Sequence, residues 1–226
     1  MAYSLVSQAS SYSSGGVTTG TVTLSVTSGN LLVLCLVHRS DAGVTSVTDS
    51  QSQTWTRVRA EQSNAFSIRC GMWYCVSTYT GSLTVTDTAD ANEHIMLNLS
   101  QWSGQHATPV ASSAGGNNAS GTSHPHGAGV NATTGQLMIT VSGQTAEVTD
   151  ETVATGFTKL SDTTSGNHWQ WWQYRIATGT ETGATATYTC TTSCATANII
   201  GLFDVAAGGG TAVPVFVHQL KQQGIA

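Results

Sequence analysis

The most unusual cluster of side chains lies in residues 168–174, which read His-Trp-Gln-Trp-Trp-Gln-Tyr. Alternate residues of a β-strand point to opposite faces, so Trp169 and Trp171 share one face and Trp172 and Tyr174 share the other. We assign the Trp172 face to the core and predict that Trp169 and Trp171 face outward or into an interface. Exposed tryptophans stack on sugar rings or are buried by a partner subunit. Burial of both faces within one fold is the alternative.

Histidines and carboxylates provide weaker signals for chemistry. His124 and His126 flank a proline in a Gly-rich segment, but a zinc site needs three or four ligands, so we predict a solvated loop and no metal. Asp150 and Glu151 form the one adjacent carboxylate pair, and neighbours in a strand point to opposite faces. The spacing leaves a two-carboxylate cleft open, but no Gly-x-Ser-x-Gly elbow is present. We therefore expect no enzyme activity and no cofactor.

The five cysteines do not have the density of a disulfide scaffold. Cys190 and Cys194 are close enough in sequence to form a small disulfide or to remain free, and the sequence leaves both options open. Cys70 and Cys75 fall on opposite faces of one predicted strand, so they should not pair. Cys35 is predicted to lie in the core, because a free cysteine behaves as a small hydrophobic residue.

Composition narrows the function classes. Charged residues make up only 8% of the 226 residues, against about 25% in an ordinary domain, and the net charge is -5. Seven scattered Lys and Arg residues argue against nucleic-acid binding, which needs a concentrated basic surface. No apolar run approaches the roughly 20 residues of a membrane helix. The first residues lack a basic region followed by an apolar core, so we expect no secretory signal.

The elements that position these residues are predicted to be strands. Apolar runs are short, rich in β-branched and aromatic residues, and bounded by Gly, Ser, Asn and Asp. Val22, Leu24 and Val26 alternate with hydroxyl residues, as in a half-buried antiparallel strand. By contrast, residues 31–37 are continuously apolar, which predicts a central strand buried on both faces.

The chain also repeats itself at an offset near 100 residues. Two copies of one β-motif would each present an apolar face, and packing the two faces together gives one core. The matched segments keep their order: Gly29-Asn30-Leu31 with Gly135-Gln136-Leu137, Trp55 with Phe157, Tyr74 with Tyr174, Gly81-Ser82-Leu83 with Gly183-Ala184-Thr185, and His94-Ile95-Met96-Leu97 with Asn198-Ile199-Ile200-Gly201.

These patterns predict an all-β fold, a jelly-roll-like antiparallel β-sandwich with an internal two-fold repeat and an extended C-terminal arm. The sandwich domain is predicted to span residues 1–207, with half-repeats at about 20–104 and 130–205. Residues 112–129, rich in Gly, Ser, Asn and His, are predicted to be a long loop between the halves. A three-glycine hinge opens the arm at residues 208–226. We expect its apolar residues to bind a partner: Val213, Val215, Phe216, Val217 and Leu220.

Five segments in order resemble β-sandwich proteins of tailed-phage structural gene regions, such as head decoration (cement) proteins. The segments are residues 29–33, 47–56, 73–74, 83–86 and 100–104, and the resemblance covers roughly residues 20–205. The resemblance implies a jelly-roll-like sandwich with no chemistry and no cofactor, and it brings no binding residues with it. Fold alone does not define function.

The resulting functional expectation is a virion protein that binds between capsid subunits and reinforces the head. Its partner would be the major capsid protein lattice, and a homo-oligomer is expected, with a trimer if the lattice site is three-fold. The protein would be made in the host cytoplasm and located in the virion. The alternative is a carbohydrate- or receptor-binding module of a tail fibre, with Trp169 and Trp171 as the glycan platform.

Overall fold

The chain folds into antiparallel β-structure in a computed structural model that describes residues 2–39, 42–63, 68–125, 129–145, 152–160 and 170–206. The predicted all-β antiparallel sandwich is confirmed. Among the described residues no helix is long and apolar enough to cross a membrane. The predicted C-terminal arm lies outside the described residues, so its partner-binding role stays a prediction.

Fourteen strands make up the described fold. In chain order they are β1 (Ser4–Val26), β2 (Leu31–His38), β3 (Val44–Asp49), β4 (Thr56–Arg57), β5 (Gln62–Ser63), β6 (Arg69–Val76), β7 (Gly81–Ser103), β8 (Gln105–Pro125), β9 (Val130–Ala132), β10 (Leu137–Gln144), β11 (Thr158–Lys159), β12 (Gln170–Ile176), β13 (Glu181–Ala184) and β14 (Thr187–Val205).

Each half of the chain builds one sheet, and the two sheets have the same strand order. The first sheet runs β1-β7-β2-β6-β4, with β3 also paired to β7 and β5 to β6. The second runs β8-β14-β10-β12-β11. β1 and β8 hold the same edge position, so the equivalence also takes in residues that the predicted half-repeats left out.

Registers and turns repeat along with the strand order. Val33 pairs with Tyr74 in the first sheet, and Ile139 pairs with Tyr174 in the second. The turn before each central strand is also the same, because Gly29 and Gly135 both adopt a φ near +90° that favours glycine. Their amides donate to Ser77 and Ala177, respectively. The predicted internal repeat is therefore confirmed, down to single residues in its central strands.

The predicted alignment was wrong in two later segments. Val33 pairs with Ser100 and Ile139 with Gly201, which makes Ser100 the counterpart of Gly201. The sequence match had placed Leu97 there, three residues away. The Gly81 segment was shifted by one residue, since Leu83 corresponds to Ala184. Leu83 and Ala184 are 101 residues apart, as are Ser100 and Gly201, whereas the sequence match used offsets of 102 and 104 for these segments.

The central core lies between the two sheets. Leu31, Val33 and Met72 on the first sheet face Ile139 and other apolar side chains on the second. Every residue of β2 and of β10 is buried. The prediction that residues 31–37 form a strand buried on both faces is confirmed, and Cys35 lies in the core as expected.

Each sheet has a second apolar core on its outer face. In the first half, β1 and β7 are long enough to bend over their own sheet, and with β3 they form what we call the first wing. Val22, Leu24 and Leu83 of this wing pack against Leu32 and Leu34 of β2. In the second half, β9, β13 and the beginning of β14 form the second wing, which packs over Met138 and Ile200 in the same way. The described residues therefore form four layers with three main apolar cores, and Trp171, Tyr188 and Cys194 make a smaller buried cluster.

The prediction of a loop at residues 112–129 was wrong for residues 112–125. Residues 112–125 belong to β8, which pairs antiparallel with β14 along most of its length. Gly115 of this strand is closely packed: the space beside it is filled by the carbonyl oxygen of Asn198 and by the side chains of Gln62 and Arg59. The small residues of this edge strand therefore allow neighbouring segments to approach it closely. The composition of the strand did not reveal these contacts.

Candidate functional site

The strongest candidate for chemistry is a buried ion pair at the end of the first half's outer core. His38 is the last residue of β2, and Asp87 lies on the inward face of β7 after Leu83 and Val85. Both side chains are fully buried, and the Nε2 of His38 lies 2.7 Å from the Oδ2 of Asp87. Glu93 is also buried, with 2% of its surface exposed. Burial of charge on this scale is costly unless the groups are paired.

The hydrogen bonds of His38 define its protonation state. Its Nδ1 lies 3.1 Å from the carbonyl oxygen of Ala42, which only accepts, so Nδ1 carries a proton. An imidazolium that also donates Nε2–H to an ionised Asp87 satisfies both contacts. Burial by itself lowers the pKa of His38, but the hydrogen bond and charge of Asp87, with Glu93 nearby, raise it above its ordinary value. Both ring nitrogens of His38 make contacts within the fold, so neither faces a substrate or a metal ion.

An open cavity of about 550 Å³ lies beside this pair. Its size is within the range of small-molecule sites. His94 accepts hydrogen bonds on Nδ1 from the Gly15 amide at 3.0 Å and from the Tyr12 hydroxyl at 2.7 Å, which leaves its proton on Nε2. The described lining residues include no Ser, Thr or Cys nucleophile: Gly15, Gly16, Arg39, Asn92, Glu93 and His94.

A different polar cluster occupies the equivalent place in the second half. Gln144 ends β10 as His38 ends β2, and Tyr188 stands where Asp87 stands. Tyr188 hydrogen-bonds through its hydroxyl to Thr140 at 2.9 Å, and its ring lies 4.5 Å from that of Trp171. Hydrogen bonding and aromatic packing thus close this core where the first half uses an ion pair.

The predicted outward position of Trp171 was wrong. The sequence predicted that it faces outward, but only 1% of its surface is exposed and it packs against Tyr188 and Cys194. Its ring is therefore not available for stacking on a glycan. The assignment of Trp172 to the core is confirmed. Trp169 lies outside the described residues.

The two halves exchange the position of one large aromatic side chain. Trp73 of the first half lies over Gly71, whose missing side chain leaves room for the indole ring. In the second half the same two positions hold Gln173 and Trp171, and the Gln173 side chain accepts a hydrogen bond from the Ala154 amide. Both arrangements fill the outer core with one tryptophan, which explains why Trp171 points inward.

His124 and Cys194 are in contact in the structure. His124 is buried, and its Nε2 lies 3.4 Å from the sulfur of Cys194. His126 lies outside the described residues, so the predicted solvated loop around the pair is wrong for His124 and untested for His126. Within the described ranges, no three His, Cys, Asp or Glu residues form a group that could hold a metal ion. Cys194 is buried and its sulfur also lies 3.8 Å from the side-chain oxygen of Gln144, and the side chain of Cys190 lies outside the described set.

The sequence analysis did not identify His38, Asp87 or Glu93. The sequence signal that could have found His38 and Asp87 is a polar residue at a position where the strand pattern otherwise has apolar residues. His38 follows seven apolar residues of a doubly buried strand, and Asp87 occupies the inward position after Leu83 and Val85. A polar residue on an inward position needs a partner, so His38 and Asp87 are candidates for one another.

Comparison with known proteins finds no family model, no curated protein and no solved structure that matches the chain.

The ion pair predicts a pH dependence of stability. A group with a higher pKa in the folded than in the unfolded state stabilises the fold fully below the unfolded value, about 6.5 for His, and loses this contribution as the pH rises through the folded pKa. We therefore expect the melting temperature to fall as the pH increases above about 6.5. In His38→Gln, which copies Gln144, this decline should disappear in thermal melts between about pH 6.5 and pH 8. Above that range the buried thiols of Cys35 and Cys70, whose pKa values are raised by burial, add a decline of their own.

His124→Gln is the matched control for that series. Burial lowers the pKa of His124, so its titration reduces stability only as the pH falls below the unfolded value. This variant should keep the alkaline decline of the native protein. A decline between about pH 6.5 and pH 8 that persists in His38→Gln would show that His38 is not the titrating group.

Proposed function

We propose that this chain is a structural protein of a tailed-phage virion, which decorates the head and stabilises it by binding between capsid subunits. The resemblance of residues 20–205 to head decoration proteins supports the proposal. The observation that carries it is the all-β antiparallel sandwich built from two equivalent sheets. The ring nitrogens of His38 both make contacts within the fold, so this buried pair adds no support to an enzymatic alternative.

The mechanism is binding energy alone. The four-layer body is rigidly packed, with three apolar cores, and contacts that span a junction between capsid subunits raise the work needed to separate them. Repeated weak contacts on a lattice add up through avidity. The arm at residues 208–226 provides further contact to a neighbouring subunit, with its apolar side chains as the adhesive surface.

The tail-fibre alternative loses one of its two named residues. It used Trp169 and Trp171 as a stacking platform, and Trp171 is buried. Glycan binding by this chain therefore needs another surface.

Deletion of residues 211–226 tests the proposed role of the arm. We expect the truncated protein to keep its β-sheet spectrum and melting transition, and to bind isolated capsids at least tenfold more weakly, or about 1.4 kcal/mol. Co-sedimentation with capsids over a concentration series measures the affinity. A control of full length replaces Val213, Val215, Phe216, Val217 and Leu220 by serine and should show the same loss. Undiminished binding by both proteins would exclude the arm from assembly.

A further inference from the structure

The outward face of the first wing carries hydroxyl groups in register across three strands. Thr86 of β7 pairs with Thr21 of β1 on one side and with Thr48 of β3 on the other. The next row is built the same way, with Thr88 between Thr19 and Ser46, and a third row pairs Thr23 with Thr84. Eight positions in three rows are thus all Ser or Thr, and none carries a charge.

The fold forces these hydroxyl groups toward solvent. Val22 and Leu24 alternate with them on β1, and Leu83 and Val85 alternate with them on β7, and all four are buried in the outer core. The threonines of β1 and Thr48 are exposed, while those of β7 are half-buried between their neighbours. Strand geometry spaces the groups by about 4.8 Å across the sheet and about 6.8 Å along it.

Part of this ladder recurs on the second wing: Thr189 lies between Ser123 and Thr152, whereas Thr187 pairs with Pro125. Thr185, Thr187 and Thr189 are the counterparts of Thr84, Thr86 and Thr88, and Thr152 bridges to Thr189 as Ser46 pairs with Thr88. Here the ladder lines a concave surface. The cavity measures about 330 Å³, and five of its seven lining residues are threonines: Thr152, Val153, Ala154, Thr155, Thr185, Thr187 and Thr189.

We propose that the two hydroxyl faces bind a neutral glycan. Each threonine offers one hydroxyl donor, two acceptor lone pairs and a methyl group, which suits a ligand that presents both hydroxyl groups and C–H surface. The absence of charge from the three rows favours a neutral over an ionic partner. Because part of the ladder recurs on the second wing, one chain can hold two segments of a polysaccharide and gain affinity by avidity. This inference does not depend on capsid binding.

Retention of the full chain on amylose, mannan and chitin beads tests the proposal, with heparin beads as the anionic comparison. We expect retention on at least one neutral polymer that persists at about 1 M salt, where exposed charges are screened within about 3 Å. The triple variant Thr21→Val, Thr86→Val, Thr187→Val removes hydroxyl groups from both wings and keeps the β-branched shape. It should bind at least tenfold more weakly.

A matched control changes two exposed threonines outside the wings, Thr108→Val and Thr158→Val, and should bind like the native protein. Melting temperatures of both variants near the native value exclude a folding defect, and a single Thr86→Val change replaces the triple variant if its melting temperature falls. The proposal is overturned if no neutral polymer retains the native chain, if salt abolishes retention, or if the triple variant binds equally well. It is also overturned if the triple variant instead abolishes self-association in sedimentation, because the faces then bind a second copy.

Discussion

Trp171→Ala is expected to destabilise the protein by about 3–5 kcal/mol, the usual cost of removing a buried tryptophan side chain. The ring of Trp171 fills the outer core of the second half between Tyr188 and His124, with centroid distances of 4.5 Å and 6.4 Å. Already in the native protein a void of only about 10 Å³ remains beside it. The layers on either side are regular sheets that have little freedom to collapse into the new cavity.

Urea denaturation measures this loss as a change in the free energy of unfolding. Trp55→Ala is the matched control, since Trp55 is half-buried at the rim of the first half's outer core and its removal should cost less. If the free energy of unfolding of Trp171→Ala is within about 0.5 kcal/mol of the native value, the change has the size of a surface substitution. That result would place the indole on the surface.

Asp87→Ala is expected to cost a similar amount, about 3–5 kcal/mol, because it leaves the imidazolium of His38 buried without its counter-charge. The acceptor at Ala42 still holds Nδ1, but the carboxylate that receives Nε2–H is gone. Glu93 remains nearby and offsets part of the loss.

A double-mutant cycle separates the pair from its surroundings. His38→Met with Asp87→Leu replaces both charges by apolar side chains, a change that is often neutral when a buried ion pair is removed as a whole. We expect the double variant to be more stable than Asp87→Leu alone and than His38→Met alone. Single and double losses that simply add would mean that the two side chains do not interact.

Much of the architecture could be predicted because the order of apolar and polar residues within a single strand indicates which of its faces are buried. The continuous apolar run at residues 31–37 required two apolar faces, and β2 has both. The alternation of Val22, Leu24 and Val26 required a strand with one apolar face, and those residues face the outer core. The matching positions of Gly29 and Gly135 made the repeat recognisable in the sequence. In the structure both glycines have the same φ and make the same hydrogen bonds.

The candidate site could not be predicted because it depends on how many layers the fold has. A two-layer sandwich gives each sheet one buried face, so the second face of β12 was assigned to solvent. The wings cover that face in both halves, which places Trp171 inside and gives the inward His38 and Asp87 a common core. Nothing local in the sequence states that a long strand such as β7 bends back over its own sheet.

The composition of β8 misled the prediction for a different reason. Gly, Ser and Asn disfavour isolated strands, yet β8 gains its order from pairing with β14 and from packing against the segment around Arg59 and Gln62. Asn117 donates a side-chain hydrogen bond to the carbonyl of Ser63 at 2.9 Å, and Arg59 donates one to the carbonyl of Ser113 at 3.3 Å. These tertiary contacts join the two sheets and override local propensity.

Quantitative mass spectrometry of purified virions tests the proposed function most directly. A head decoration protein occupies a repeated site on the lattice, so the account predicts that this chain is present in a fixed ratio to the major capsid protein and remains with heads separated from tails. Absence of the chain from purified particles, or its recovery only with the tail fraction in a few copies, would contradict the account.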